Sequence, residues 1–116
     1  MKITKLKDTI GGWFVGNFDK AAFKSDMFEV SYKFHKKDEI WDNHYHEHVT
    51  EINLLTHGTM ILQGKTLIAG DIFVLEPYEI ADPKFLTDCE IVCVKYPGVT
   101  NDKVVFYKNE NNSTQG

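Results

Sequence analysis

Turn signals recur along this chain and leave apolar segments of only about four to eight residues between them. Glycine or proline stands at many of the breaks, for example at Gly64, Gly70, Pro77 and Pro97. Helices in globular proteins generally need about ten residues or more, so segments this short fit strands better than helices. About eight to ten short strands with almost no helix predict an all-β sandwich or barrel.

The segment from Phe28 to His35 alternates apolar and polar residues without interruption. Strict alternation predicts a half-buried strand with one face on the core and the other in water. On this interpretation Phe34 belongs to the buried face, and His35 is a surface residue.

Four of the five histidines in the chain fall between Trp41 and Gly58. Side chains two apart on a strand share a face, so His44, His46 and His48 are predicted to point the same way. Imidazoles gathered on one face, with a carboxylate a few residues on, are typical ligands of a divalent first-row metal. This stretch is therefore a candidate metal site.

The spacing of these residues resembles a known family pattern. His44 and His46 are separated by one residue, Glu51 follows after four more, and Gly58 after a further six. That is the spacing of the first motif of the cupin superfamily. Residues 70–77, a Gly-Asp pair and an apolar strand leading into a proline loop, resemble the second motif of the same family.

The resemblance covers roughly residues 29 to 96 and implies a single-domain, cupin-type jelly-roll β-barrel. It also implies a metal inside the barrel mouth, held by His44, His46 and Glu51. Two imidazoles and one carboxylate leave open positions on Fe, Mn, Ni or Zn, where water or a substrate oxygen can bind. The alternative is a polar barrel interior that holds no metal.

The chain departs from the family pattern in two places. Where the family has a histidine as fourth ligand, this chain has Ala81 or Asp82, depending on the alignment. Asp82 is therefore a candidate oxygen ligand, His48 a candidate third imidazole, and Glu76 a candidate polar group at the cavity mouth. Asp38 replaces a glycine before the first histidine, and aspartate also tolerates turn geometry.

The whole chain has 116 residues, which predicts one domain over residues 1–108 and a flexible tail over 109–116. A net charge of -4 without a basic cluster argues against nucleic acid as a partner. No apolar run approaches the roughly 20 residues that span a bilayer, and no signal peptide is recognisable, so a cytoplasmic protein is expected. Cys89 and Cys93 would lie some 13 Å apart on a strand, too far for a disulfide.

Two functions of different class fit these observations. The first is a small metalloenzyme that acts on a small polar metabolite, either as a sugar isomerase or epimerase or as a dioxygenase. The second is a non-catalytic cupin module that binds a small ligand, such as a sugar. Exposed edge strands also predict a homodimer, with the contact surface in residues 60–75 or in the aromatic segment at residues 11–16.

Overall fold

The computed structural model describes residues 1–99 and 102–106, and in this part of the chain it contains ten strands and no α-helix. A single 3-10 turn, Leu6–Asp8, precedes the strands. The strands are β1 Trp13–Val15, β2 Glu29–His35, β3 Asn43–His46, β4 Thr50–His57, β5 Thr59–Leu62, β6 Lys65–Ile68, β7 Ile72–Leu75, β8 Lys84–Phe85, β9 Cys89–Tyr96 and β10 Lys103–Phe106. The all-β class predicted from the sequence is confirmed.

Three antiparallel sheets make up the described part of the fold. The largest has the order β1-β2-β9-β4-β7, the second β6-β5-β8, and the third pairs β10 with β3. Among the described residues these sheets do not join into one continuous hydrogen-bonded barrel, although an isolated bridge links His44 to Ala81. The predicted hairpin between β5 and β6 closes at Gln63 and Gly64, which both have positive φ.

The apolar core lies between the five-stranded and the three-stranded sheets. Its buried members come from both sheets and from the loop before β8: Leu55, Met60, Leu62, Leu75, Ala81, Phe85, Cys89 and Ile91. Both cysteines are free thiols, as their predicted spacing on one strand requires.

Strand β2 is oriented opposite to the sequence prediction. Its polar residues Glu29, Ser31 and His35 are buried, whereas the side chain of Phe34 is 61% exposed. The prediction of His35 as a surface residue was therefore wrong. Alternation identifies two faces of a strand but not which face is inside, and here the polar face lines an internal cavity.

Gly58, the glycine of the first motif, occupies a position that no other residue fits. Its φ is +98°, and a Cβ there would lie 2.2 Å from the Asp88 carbonyl oxygen. Gly70 has the same φ, but a Cβ there would meet nothing within 4 Å.

We expect Gly58→Ala to destabilise the fold by at least about 2 kcal/mol, because it adds a backbone collision to the strain of a positive φ. Gly70→Ala should cost only the strain, about 1 kcal/mol. Urea denaturation of the two variants measures the difference, and equal losses would contradict the collision at Gly58.

No helix in the described residues is long and apolar enough to cross a membrane. The predicted tail over residues 109–116 lies outside the described residues.

Candidate metal centre

His44, His46 and Glu51 converge inside the fold. The two histidines lie two apart on β3 and are 7% and 5% exposed, and Glu51 follows on β4 after a short turn. One ligand atom of each of the three side chains lies within 4.8 Å of the other two. Alternation along β3 turns both imidazoles inward, and the shortness of the turn brings the carboxylate to the same place.

The turn between β3 and β4 is held by Asp102, a residue that the sequence did not single out. Its carboxylate accepts hydrogen bonds from the backbone N–H groups of His48 at 2.9 Å and Val49 at 3.0 Å. Burial would raise the pKa of Asp102, but the hydrogen bonds from His48 and Val49 lower it overall. The charged carboxylate therefore fixes the geometry that carries Glu51 toward the histidines.

The imidazole of His46 has no hydrogen-bond partner on either ring nitrogen, although both nitrogens are buried. Nε2 lies 3.2 Å from a Glu51 carboxylate oxygen, but the two groups are not aligned as a hydrogen bond. Nδ1 lies 3.9 Å from an Asp102 oxygen, which is too long for a hydrogen bond. A buried polar group without a hydrogen bond costs about 1–3 kcal/mol. A metal ion bound to Nε2, the nitrogen that lies near Glu51, would remove that cost for this atom.

Unlike His46, His44 makes a hydrogen bond through one of its ring nitrogens. Its Nδ1 donates to the Asp42 carbonyl oxygen at 3.4 Å, which leaves Nε2 free to bind an ion. Burial, with a smaller contribution from the positive charge of Lys103, lowers the pKa of His44. The neutral imidazole, which is the form that binds a metal, is therefore favoured.

Glu51 is held as a carboxylate. Burial alone would raise its pKa, but His46, Lys95 and a hydrogen bond from Asn53 Nδ2 at 3.2 Å hold the pKa at about 2. The two imidazoles and this carboxylate are the donor set of a divalent transition metal, so the residues present fit such an ion.

A cavity of about 290 Å³ opens beside this group. Part of its lining is apolar and consists of core residues. The polar part of the lining consists of Lys33, His35, His44, Glu51, Asn53, Lys95 and Lys103, and the indoles of Trp13 and Trp41 also contribute. A volume of this size suits a small metabolite.

Three of these cavity residues are lysines that sequence reasoning missed. Lys33 lies on β2, Lys95 on β9 and Lys103 on β10. Strand register explains their convergence, since Lys95 pairs with Glu51 and Lys103 pairs with His46. For Lys95, the available sequence signal was the alternation along β9. This alternation could be interpreted only once the strands next to β9 were known.

His35 and Glu39 form a second missed pair. His35 Nδ1 lies 2.7 Å from a Glu39 carboxylate oxygen, and the indole N–H of Trp41 donates to the same oxygen. The His35 ring stacks on Phe85 with centroids 4.3 Å apart and planes 10° apart. These contacts from Glu39 and Phe85, hereafter called the clamp on His35, orient an imidazole in the cavity wall, close to the metal-ligand candidates.

The three additional candidates from the sequence lie away from the cavity. β3 ends at His46, so His48 is 69% exposed by side chain and contacts Asp102 at 2.7 Å, instead of pointing inward as predicted. Asp82 accepts a hydrogen bond from the Gln63 backbone N–H at 2.8 Å. The exposed Glu76 accepts one from the Thr50 hydroxyl at 2.8 Å.

Ala81, one of the two residues that the alignment allows at the position of the fourth family ligand, is buried next to His44. The backbone of Ala81 exchanges hydrogen bonds with that of His44, at 2.7 and 3.1 Å, and its side chain lines the cavity. Within the described residues, a further group of possible metal ligands is formed by Glu47, His48 and Asp102, of which the first two are exposed.

No protein-family profile and no curated protein matches the chain, whereas solved structures do. A conserved protein with a double-stranded β-helix domain from Klebsiella pneumoniae subsp. pneumoniae MGH 78578 aligns with a TM-score of 0.61 at 20% identity, over 72% of this chain and 78% of that chain. A cupin-2 domain containing protein from Shewanella frigidimarina NCIMB 400 gives 0.52 at 16%, over 62% and 72%. DMSP lyase DddQ from Ruegeria pomeroyi DSS-3 gives 0.63 at 14%, over 82% and 50%.

These likenesses, together with the sheet order, show that the chain has the cupin fold, an all-β jelly roll. The fold predicted from the two motifs is therefore confirmed. The site inside it contains a His/Glu group that could hold a metal ion.

Proposed function

We propose that this protein is a metalloenzyme that acts on a small polar metabolite. His44, His46 and Glu51 would hold a divalent ion of Fe, Mn, Ni or Zn, and the adjoining cavity would hold the substrate. The observation that carries this proposal is the buried imidazole of His46, which makes no hydrogen bond and lies 3.2 Å from a carboxylate that stays charged.

The bound metal would supply Lewis-acid polarisation of a substrate oxygen. The chain itself supplies orientation and a proton carrier. Because Glu39 engages Nδ1 of His35, the Nε2 atom of that ring is the nitrogen free to take or give a proton. The candidates His48, Glu76 and Asp82 are less suited to this role, since each is held outside the cavity by another contact.

One of the similar solved structures is named as a DMSP lyase, which supports an enzymatic role for this fold. A shared fold does not transfer the substrate or the reaction. An isomerase or epimerase and a dioxygenase are both compatible with two imidazoles and one carboxylate, and bound iron would favour the dioxygenase.

Elemental analysis of the purified protein after metal loading tests the proposal. We expect about one ion per chain in the parent and in His57→Ala, a control in which an exposed histidine is removed. His44→Ala and His46→Ala should each lose the ion. Equal metal content in all four proteins would contradict the site.

A second candidate is a cupin module that binds a small ligand, such as a sugar, without chemistry. The lack of a histidine at the fourth ligand position and the two indoles in the cavity favour it, because aromatic faces are common in binding sites. Recovery of a bound ligand in unchanged form, from metal-loaded protein, would favour this function over the enzyme.

The homodimer and the cytoplasmic location expected from the sequence stay predictions. The outer face of the large sheet carries exposed apolar side chains that a second copy could cover: Phe34, Ile52, Leu54, Ile72 and Val74. Two of these lie in the predicted contact region, residues 60–75.

A further inference from the structure

We propose that the cavity selects a small organic acid, whose carboxylate would bind among Lys33, Lys95 and Lys103. The inference names the substrate class of the site described above and rests on the proposed function. The three lysines are hereafter called the lysine cluster.

The lysine cluster concentrates positive charge in a chain whose net charge is -4. Three lysines line the cavity against one carboxylate, Glu51, which the metal would engage. Within the described residues none of the three ammonium groups has an ion-pair partner within 4.0 Å or makes a hydrogen bond. Cations that make no ion pair or hydrogen bond are suited to an anionic ligand.

Partial removal of these cations from water near one another is unfavourable. Burial, followed by repulsion from Lys95, lowers the pKa of Lys33, and the same two causes lower the pKa of Lys103. Two acidic groups besides Glu51 act on the cluster, the buried Glu29 on Lys95 and Asp42 on Lys103. A bound carboxylate would relieve the repulsion that remains.

The lysine side chains are placed by aromatic rings. The ammonium groups of Lys33 and Lys95 lie 5.0 and 4.7 Å from the centre of the Trp13 ring, and that of Lys103 lies 4.8 Å from the Trp41 ring. Contact with an indole face orients a cation without neutralising its charge. The cluster is therefore held in place before any ligand binds.

The apolar part of the cavity lining defines the rest of the ligand. It consists of six side chains: Met60, Leu62, Phe73, Leu75, Phe85 and Ile91. A carboxylate at the cluster would direct its carbon skeleton toward this surface. The arrangement favours an acid with an apolar body over inorganic phosphate or a neutral sugar.

Tryptophan fluorescence can measure this binding directly, because both tryptophans of the chain line the cavity. Metal-free protein would be titrated with benzoate and hexanoate, and with benzamide and hexanamide as neutral counterparts of similar shape. We expect at least one acid to bind at least about tenfold more tightly than its amide, the effect of one charge-assisted hydrogen bond.

Substitutions then test the lysine cluster itself. Lys33→Gln, Lys95→Gln and Lys103→Gln should each weaken binding of that acid by about tenfold or more, and Lys95→Arg should largely restore it. Lys65→Gln, at an exposed position on β6, makes the same change in net charge and should have no effect. Thermal melts of each variant show whether the fold is retained.

Three results would overturn the proposal: binding of neither acid, equal binding of acid and amide, or an equal loss in Lys65→Gln. The titrations use metal-free protein, whereas the proposed function is tested by metal content. A protein that binds the acid but no metal would leave the lysine cluster as an acid-binding site and remove the metalloenzyme. A protein that binds the metal but does not distinguish the acid from its amide would retain the proposed metalloenzyme and remove the acid-binding site.

Discussion

A Glu51→Gln variant is expected to bind a divalent transition metal about a hundredfold more weakly than the parent protein, or worse. The substitution keeps the size of the side chain but removes the charge that complements the ion. Replacing a residue that only hydrogen-bonds to a metal ligand typically weakens metal binding by about 10- to 100-fold. Replacing a ligand itself should weaken it at least as much. Competition with a chromophoric chelator measures the affinity.

Two further variants make this result specific. Asn53→Ala removes the hydrogen bond at 3.2 Å that orients the Glu51 carboxylate, and should weaken binding by about tenfold. Glu76→Gln makes the same chemical change as Glu51→Gln at an exposed position bonded to Thr50, and should leave the affinity unchanged. Weakening in Glu76→Gln with none in Glu51→Gln would place the ion elsewhere.

Phe85→Ala is expected to destabilise the fold by about 3–5 kcal/mol, because it empties a fully buried position in the core. Phe85 also stacks on His35, so the variant should loosen the clamp formed with Glu39. Urea denaturation, monitored by circular dichroism, measures the free energy of unfolding.

Phe34→Ala is the matched control for Phe85→Ala. Hydrophobic alternation along β2 predicts Phe34 in the core, whereas its side chain is 61% exposed. The structure therefore predicts a loss of about 1 kcal/mol or less for this variant. Losses of similar size in the two variants would contradict the observed orientation of β2.

The ligand candidates could be found in the sequence because their arrangement is local. His44 and His46 are two apart on one strand, so alternation alone puts them on one face. Glu51 follows after a turn short enough to be recognised by spacing. The same reasoning failed for His48, because β3 ends at His46 and alternation stops with the strand.

The lysine cluster and the clamp on His35 were beyond reach from the sequence. Lys103 faces the cavity because β10 pairs with β3, some 57 positions earlier in the chain. Lys95 faces it because β9 lies between β2 and β4. Pairings between distant strands depend on the whole fold, and no local pattern specifies them.

The amino-acid sequence by itself predicted the strand-rich class and the proximity of two imidazoles to one carboxylate, because short-range spacing sets strand length, alternation and turns. The cupin fold was implied by the resemblance of two sequence motifs to those of the family. Only the tertiary structure decided which face of each strand is inside. It thereby placed His35, which was predicted as a surface residue, and Lys33 in the wall of a charged cavity, because a strand's inner face is set by what packs against it.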